Sequence, residues 1–181
     1  MAGELGARIS VTKLDAARRQ IETALDLWFH EGDPVAIHTL AAAAHRVVHD
    51  IAEMQGAGAV LLDSKQVESW GADAKKWKKD IRRAETFFKH AQNDPHETLD
   101  FSARITEHVL ISAIECYRRL VNEKSHLMTL FFCWFHVRNP ELFDFLDEHL
   151  QKQFSPAIPI LKRRISRTEI FNLLRDLNLA G

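Results

Sequence analysis

The stretch DPVAIHTLAAAAHRVVHDIAEMQG, Asp33 to Gly56, constrains this chain more than any other, because it has to be a long helix and has to be covered. Asp33 suits an N-cap, where its carboxylate can accept from the orphan backbone N–H groups of the first turn. Pro34 suits the first helical position, where a missing N–H costs nothing. Gly56 can take the left-handed conformation that ends a helix. Between these ends, Ile37, Leu40, Ala41, Ala44, Val47, Val48 and Ile51 share one wide arc at about 100° per residue. More than half of the circumference is therefore apolar. Ala41, Ala42 and Ala52 add small side chains that let a neighbouring helix, or a ligand, approach closely.

The same periodicity runs through the rest of the chain. It predicts helices over Thr12 to His30, Ala74 to Gln92 with Asp73 as cap, Ser102 to Asn122, and Ser125 to Val137. Asn139 followed by Pro140 predicts a further helix to Gln153, and a Ser166/Glu169 capping box predicts a last one to about Leu177. A short helix is expected from Ser64 to Trp70. No stretch alternates as a strand does, and there are only 7 Gly and 5 Pro to build turns with. The expectation is all-α: one domain over residues 1–181, a bundle of six or seven helices, with 1–11 as a flexible tail.

Charge narrows the function classes. With 24 basic and 25 acidic residues the formal net charge is −1, so no global field steers the protein toward nucleic acid or an anionic membrane. The first twenty residues lack the apolar core of a secretory signal, and the longest apolar run, Leu127 to Phe135, is far too short to span a bilayer. Cys116 and Cys133 sit in apolar segments without CxxC spacing and read as buried thiols in a reduced compartment. Together these predict a cytoplasmic protein.

His38, His45 and His49 fall within roughly 20° of one line on the central helix. They border the apolar arc rather than occupying its centre. His45 and His49, at i, i+4, can present two imidazoles to one divalent metal, with Asp50 adjacent and Glu53 one turn further on. His38 lies about 10 Å up the axis from His45, too far to share that ion. The helix expected at Ser102 to Asn122 is apolar almost all round, apart from Glu107, His108 and Glu115. Two such helices should pack together, with the histidines meeting the carboxylates, because a buried charge costs several kcal/mol unless it is paired. A ferritin-like di-metal site lacks the required Glu-x-x-His pairs, and HExxH, GxSxG and the P-loop are absent. Lys75, Lys79, Arg82 and Arg83 line one side of their helix, opposite the stripe Trp77, Ile81, Ala84 and Phe88. That basic face could bind phosphates, with Trp70 or Trp77 as a stacking platform, but Trp77 lies on the apolar side, and the preferred reading is a solvated face paired with Glu141, Asp144 and Asp147.

Two resemblances bear on these residues. VVHDIAE, with its His49-Asp50 dipeptide, resembles the metal-binding turn of the HD-domain phosphohydrolases. It departs from that pattern because the preceding histidines share its helix and the usual following Gly is missing; His30 would have to supply a ligand from the first helix. GDPVAIHTLAAAAH (Gly32 to His45) and FFKHAQNDPHETLDF (Phe87 to Phe101) together resemble a family of uncharacterised bacterial proteins of similar length. That resemblance implies a stand-alone bacterial domain and no particular activity. It directs attention to Ile37, His38, Thr39, Lys89 and His90.

Two functions are therefore expected. The first is a non-catalytic module, as a homodimer, that binds a small ligand or a protein partner through His38, Thr39, His90, Glu107, His108 and Glu115. Its motive is the lack of a complete catalytic motif beside an abundance of exposed-looking aromatics in a small chain. The alternative is an HD-like metal-dependent phosphohydrolase using His45, His49 and Asp50 with Glu107, His108 or Glu115 from a neighbouring helix. Neither needs nucleic acid or membrane as a partner. A modest lysine patch on a near-neutral protein should bind a single-stranded oligonucleotide only weakly at physiological salt and lose that binding steeply as salt rises. Fluorescence anisotropy is expected to give no sub-micromolar affinity under those conditions.

Overall fold

A computed structural model of the chain describes residues 8–56, 72–92, 94–121, 125–139, 155, 157–163 and 165–175. These residues form seven α-helices and no strand, in a single-domain bundle: α1 (Lys13–Phe29), α2 (Pro34–Met54), α3 (Ala72–Phe87), α4 (Arg104–Leu120), α5 (His126–Arg138), the single turn α6 (Ile158–Leu161) and α7 (Arg167–Arg175). The helices expected over 64–70 and 140–153 lie outside the described residues, as do Glu141, Asp144 and Asp147.

The helix ends follow from the capping residues. Thr12 Oγ1 accepts from the Asp15 N–H at 3.0 Å, and Asp15 Oδ2 accepts from the Thr12 N–H at 3.2 Å, so Asp fills the capping-box role usual for Glu. The Thr12 hydroxyl, donating to Asp15 Oδ2 at 2.7 Å, and then the Thr12 N–H hold the Asp15 carboxyl below its ordinary range. Asp33 Oδ1 accepts from the Ala36 N–H at 2.8 Å. Gly56 stands at φ +66°, the left-handed end expected for α2. Ser166 and Glu169 form the reciprocal box that starts α7. Asn139 closes the preceding helix: its side-chain amide donates to the Phe135 carbonyl at 2.9 Å. Asp73 does not cap α3, which begins one residue before it, and the helix ends at Phe87 rather than near Gln92.

α2 is the centre of the bundle. It runs between α1 and α4, its two most extensive interfaces, and the short His30–Asp33 link sends it back along α1. Ala41, Ala44 and Val48 have no exposed surface, and Ala42 and Ala52 have almost none. Small side chains here bring the flanking backbones close, so α1 and α4 also touch each other. α5 packs on α1 and α4, and α6 joins it to α7. Trp28 knits these layers, with ring-edge contacts to Phe29, Phe131 and Trp134 at 4.4–5.0 Å between centroids. Among the described residues the exposed large hydrophobics are Ile9, Val11, Val35, Met54 and Leu173, none of them aromatic, so the aromatics described there are buried or half-buried. No described helix is long and apolar enough to cross a membrane.

α3 is different. Among its described side chains only Ala74, Ile81 and Ala84 are buried, and it leans on α2 and α4 through a narrow stripe. Its six lysines and arginines cannot follow that stripe into the core without losing water.

Because the α2 alanines set the spacing of three helices, Ala44→Leu should overpack the centre. A loss of about 1–3 kcal/mol is expected, measured as a lower midpoint in urea with an unchanged slope.

Candidate functional site

The histidine edge of α2 does meet α4, and the groups it meets there include hydroxyls. His38 is fully buried, and its Nδ1 lies 3.0 Å from Thr106 Oγ1. Its Nε2 has no hydrogen-bond partner among the described residues. A bare lone pair costs less there than an orphaned N–H, so Nδ1 carries the proton and donates to Thr106. The edges of Phe88 and Phe101 close around the imidazole, at centroid distances of 5.7 and 5.1 Å. Burial pushes the His38 pKa down to about 4. His38 is accordingly a neutral residue of the seam. One helical repeat on, His45 Nε2 lies 3.1 Å from Ser112 Oγ, while its ring remains half-buried beside that of His49, 5.6 Å away.

Beyond His45 the seam opens. α3 stands off from α2, leaving a cleft of about 430 Å³ lined by His45, Arg46 and His49 on one wall. The other wall is Lys78, Ile81, Arg82, Glu85, Thr86, Lys89 and His90. Four cationic side chains against one carboxylate make the lining formally +3 with its three imidazoles neutral. Lys89 Nζ bonds Glu85 Oε1 at 2.8 Å, and Arg46 pairs with Asp50 at 3.2 Å. Arg82 is exposed and makes no ion pair among the described residues.

The other expected site residues are placed apart. Thr39 Oγ1 donates back to the Val35 carbonyl at 2.8 Å and stays within its own helix. Glu107 has Trp28, Arg104, Arg138 and Arg167 for neighbours; burial raises its pKa, offset in part by the three arginines and by a hydrogen bond with Trp28. His108 is packed edge-on against Trp77 and Phe135, at 4.9 and 5.2 Å. Glu115 is half-buried on α4 and does not line the cleft. His90 does line it, with His45 and His49.

The candidate metal ligands form a different set from His45, His49 and Asp50. Donor atoms of His49, Asp50 and Glu53 lie within 4.8 Å of one another. His49 Nδ1 is 3.7 Å from Glu53 Oε2, but Asp50 is engaged by Arg46. All three residues come from one helix and Glu53 is exposed, so no second element closes a coordination shell there among the described residues. On the opposite wall, Lys89 is marked by the resemblance, Ile81 as part of the apolar stripe and Arg82 as part of the solvated face, while sequence reasoning missed Lys78, Glu85 and Thr86. Their signal was present as i, i+4 steps from 78 to 82 to 86 and from 81 to 85 to 89, a face lying between the apolar stripe and the solvated side. No protein-family model, curated protein or solved structure matches the chain.

The seam histidines make stability depend on pH. His38 and His136 both fall from an ordinary 6.5 to about 4, each first because of burial. His136 Nδ1–H donates to the Phe132 carbonyl at 2.7 Å, which only partly offsets that loss. Between those values the unfolded chain binds protons that the folded core refuses, so stability should fall as pH drops from 6.5 toward 4, by an order of 3 kcal/mol per histidine at most. Glu107, whose folded pKa is raised, works in the opposite sense just above 4.5. Urea denaturation at stepped pH should show the loss, and His38→Leu should flatten it.

Proposed function

We propose that this chain is a non-catalytic helical module that binds a small ligand in the cleft between α2 and α3. The observation that carries the reading is the cleft itself, about 430 Å³ with polar groups converging from two helices. One wall is rigid, since α2 is buried, capped at its N-terminus and tied to α4 through Ser112. The other wall, α3, is held by a narrow apolar stripe and can adjust to an occupant. A ligand is favoured over a protein partner because, among the described residues, the exposed large hydrophobics are spread over the N-terminal segment, the two ends of α2 and α7. Homodimerisation belongs to the same reading only if it buries a surface outside the cleft. A cytoplasmic setting suits the two buried free thiols, Cys116 and Cys133.

The metal-dependent hydrolase remains the second reading, favoured by the close approach of His49, Asp50 and Glu53. It is weaker because Arg46 already holds Asp50 and the donors are consecutive turns of one helix.

Elemental analysis of the purified full-length protein is expected to find far less than one equivalent of zinc, manganese or iron, and phosphomonoester hydrolysis should be undetectable. A small-molecule screen read by imidazole proton NMR should shift His45, His49 and His90 together. Stoichiometric metal with hydrolysis abolished by His49→Ala would replace this reading with the second.

A further inference from the structure

We infer that the occupant of the α2–α3 cleft is a small phosphorylated anion, bound between Arg82 and Lys78 on one wall and His45 and His49 on the other. The inference rests on the ligand-binding reading of this cleft and adds the chemistry of the ligand.

Charge is the first ground. The chain as a whole is −1, yet the cleft lining alone is formally +3. Cations from α2 and α3 both line it, so an anion placed between them is attracted from two sides. Arg46 and Lys89 already have carboxylates, Asp50 and Glu85. Arg82 has none among the described residues, and its planar guanidinium fits two oxygens of a phosphate at once. Imidazole N–H groups supply further donors without adding a fixed charge. With the Arg46–Asp50 pair counted the formal excess falls from +3 to +2, which a phosphate dianion matches and a monocarboxylate half compensates, and a metal cation would be repelled by it. Asp50 lies outside the lining but neutralises Arg46, so the positive charge left for a ligand sits on the α3 wall, where Arg82 has no carboxylate among the described residues.

Size and surroundings are the second ground. A volume of about 430 Å³ suits a ligand of sugar-phosphate or mononucleotide size. A nucleic-acid strand would need the positive surface to continue around α3, and there it is interrupted. Arg83 faces Glu97 at 3.9 Å, and Asp94 borders the neighbouring shallow depression.

The test is a calorimetric titration of the full-length protein with inorganic pyrophosphate at about 0.15 M salt, where diffuse surface attraction is screened. Saturable binding is expected. Arg82→Gln should weaken it about tenfold or more, the effect of one charge-assisted hydrogen bond. Lys75→Gln with Lys76→Gln, on the same helix but outside the cleft lining, should change it less than about twofold. Arg82 is exposed, so its variant is expected to fold, and circular dichroism checks this. Equal weakening by both sets of variants would mean a diffuse field and no site, overturning the inference. So would citrate binding as tightly as pyrophosphate, or single-stranded RNA binding more tightly. If uncharged fragments shift His45, His49 and His90 while millimolar pyrophosphate does not, the cleft binds ligands but the phosphate assignment is wrong. If neither shifts them, both readings fall.

Discussion

Burial of α2 between α1 and α4 is the constraint on which the rest of this protein depends. An alanine-rich apolar arc lets two helices close on a third, and removing that surface from water is what holds all three together. Spacing set by alanine favours compact polar groups at the seam, and His38 with Thr106, and His45 with Ser112, are compact pairs. A histidine in that position stays neutral because charging it would strand a cation in the core. The stripe therefore has two regimes, dry at His38 and increasingly wet toward His49.

The transition between them is made by α3. This helix has an apolar stripe too narrow to close fully over α2 and a cationic periphery that water holds outward. Its failure to pack down produces the cleft, and its lysines and arginines give the cleft its sign. Stability and binding capacity are thus opposed along one surface: where α4 closes on the histidine edge the polar groups serve packing, and where α3 stands off they face a space that a ligand can enter.

The architecture was legible in the primary sequence because its signals are local. Thr12, Asp33, Gly56 and the Ser166/Glu169 pair act within a few residues of themselves, and each is found at the end it marks. Helical periodicity on α2 and α4 likewise implied their mutual packing. Asp73 was misleading because a capping residue type does not by itself choose among neighbouring start positions. The candidate site was only partly legible. His45, His49 and His90 line the cleft, while Thr39 bonds to its own helix and Glu107 lies among Trp28 and three arginines.

What the sequence determined by itself was therefore the helices, their ends and the apolar face that each must bury. These follow from backbone geometry and side-chain period over one or two turns. Only the tertiary structure decided which polar groups share a space. His45 and Arg82 are far apart in the chain, and whether they face one another depends on how closely α3 rests on α2. That distance is a balance between a few buried side chains on α3 and the hydration of its cations, spread over several elements, so no single stretch of sequence encodes it.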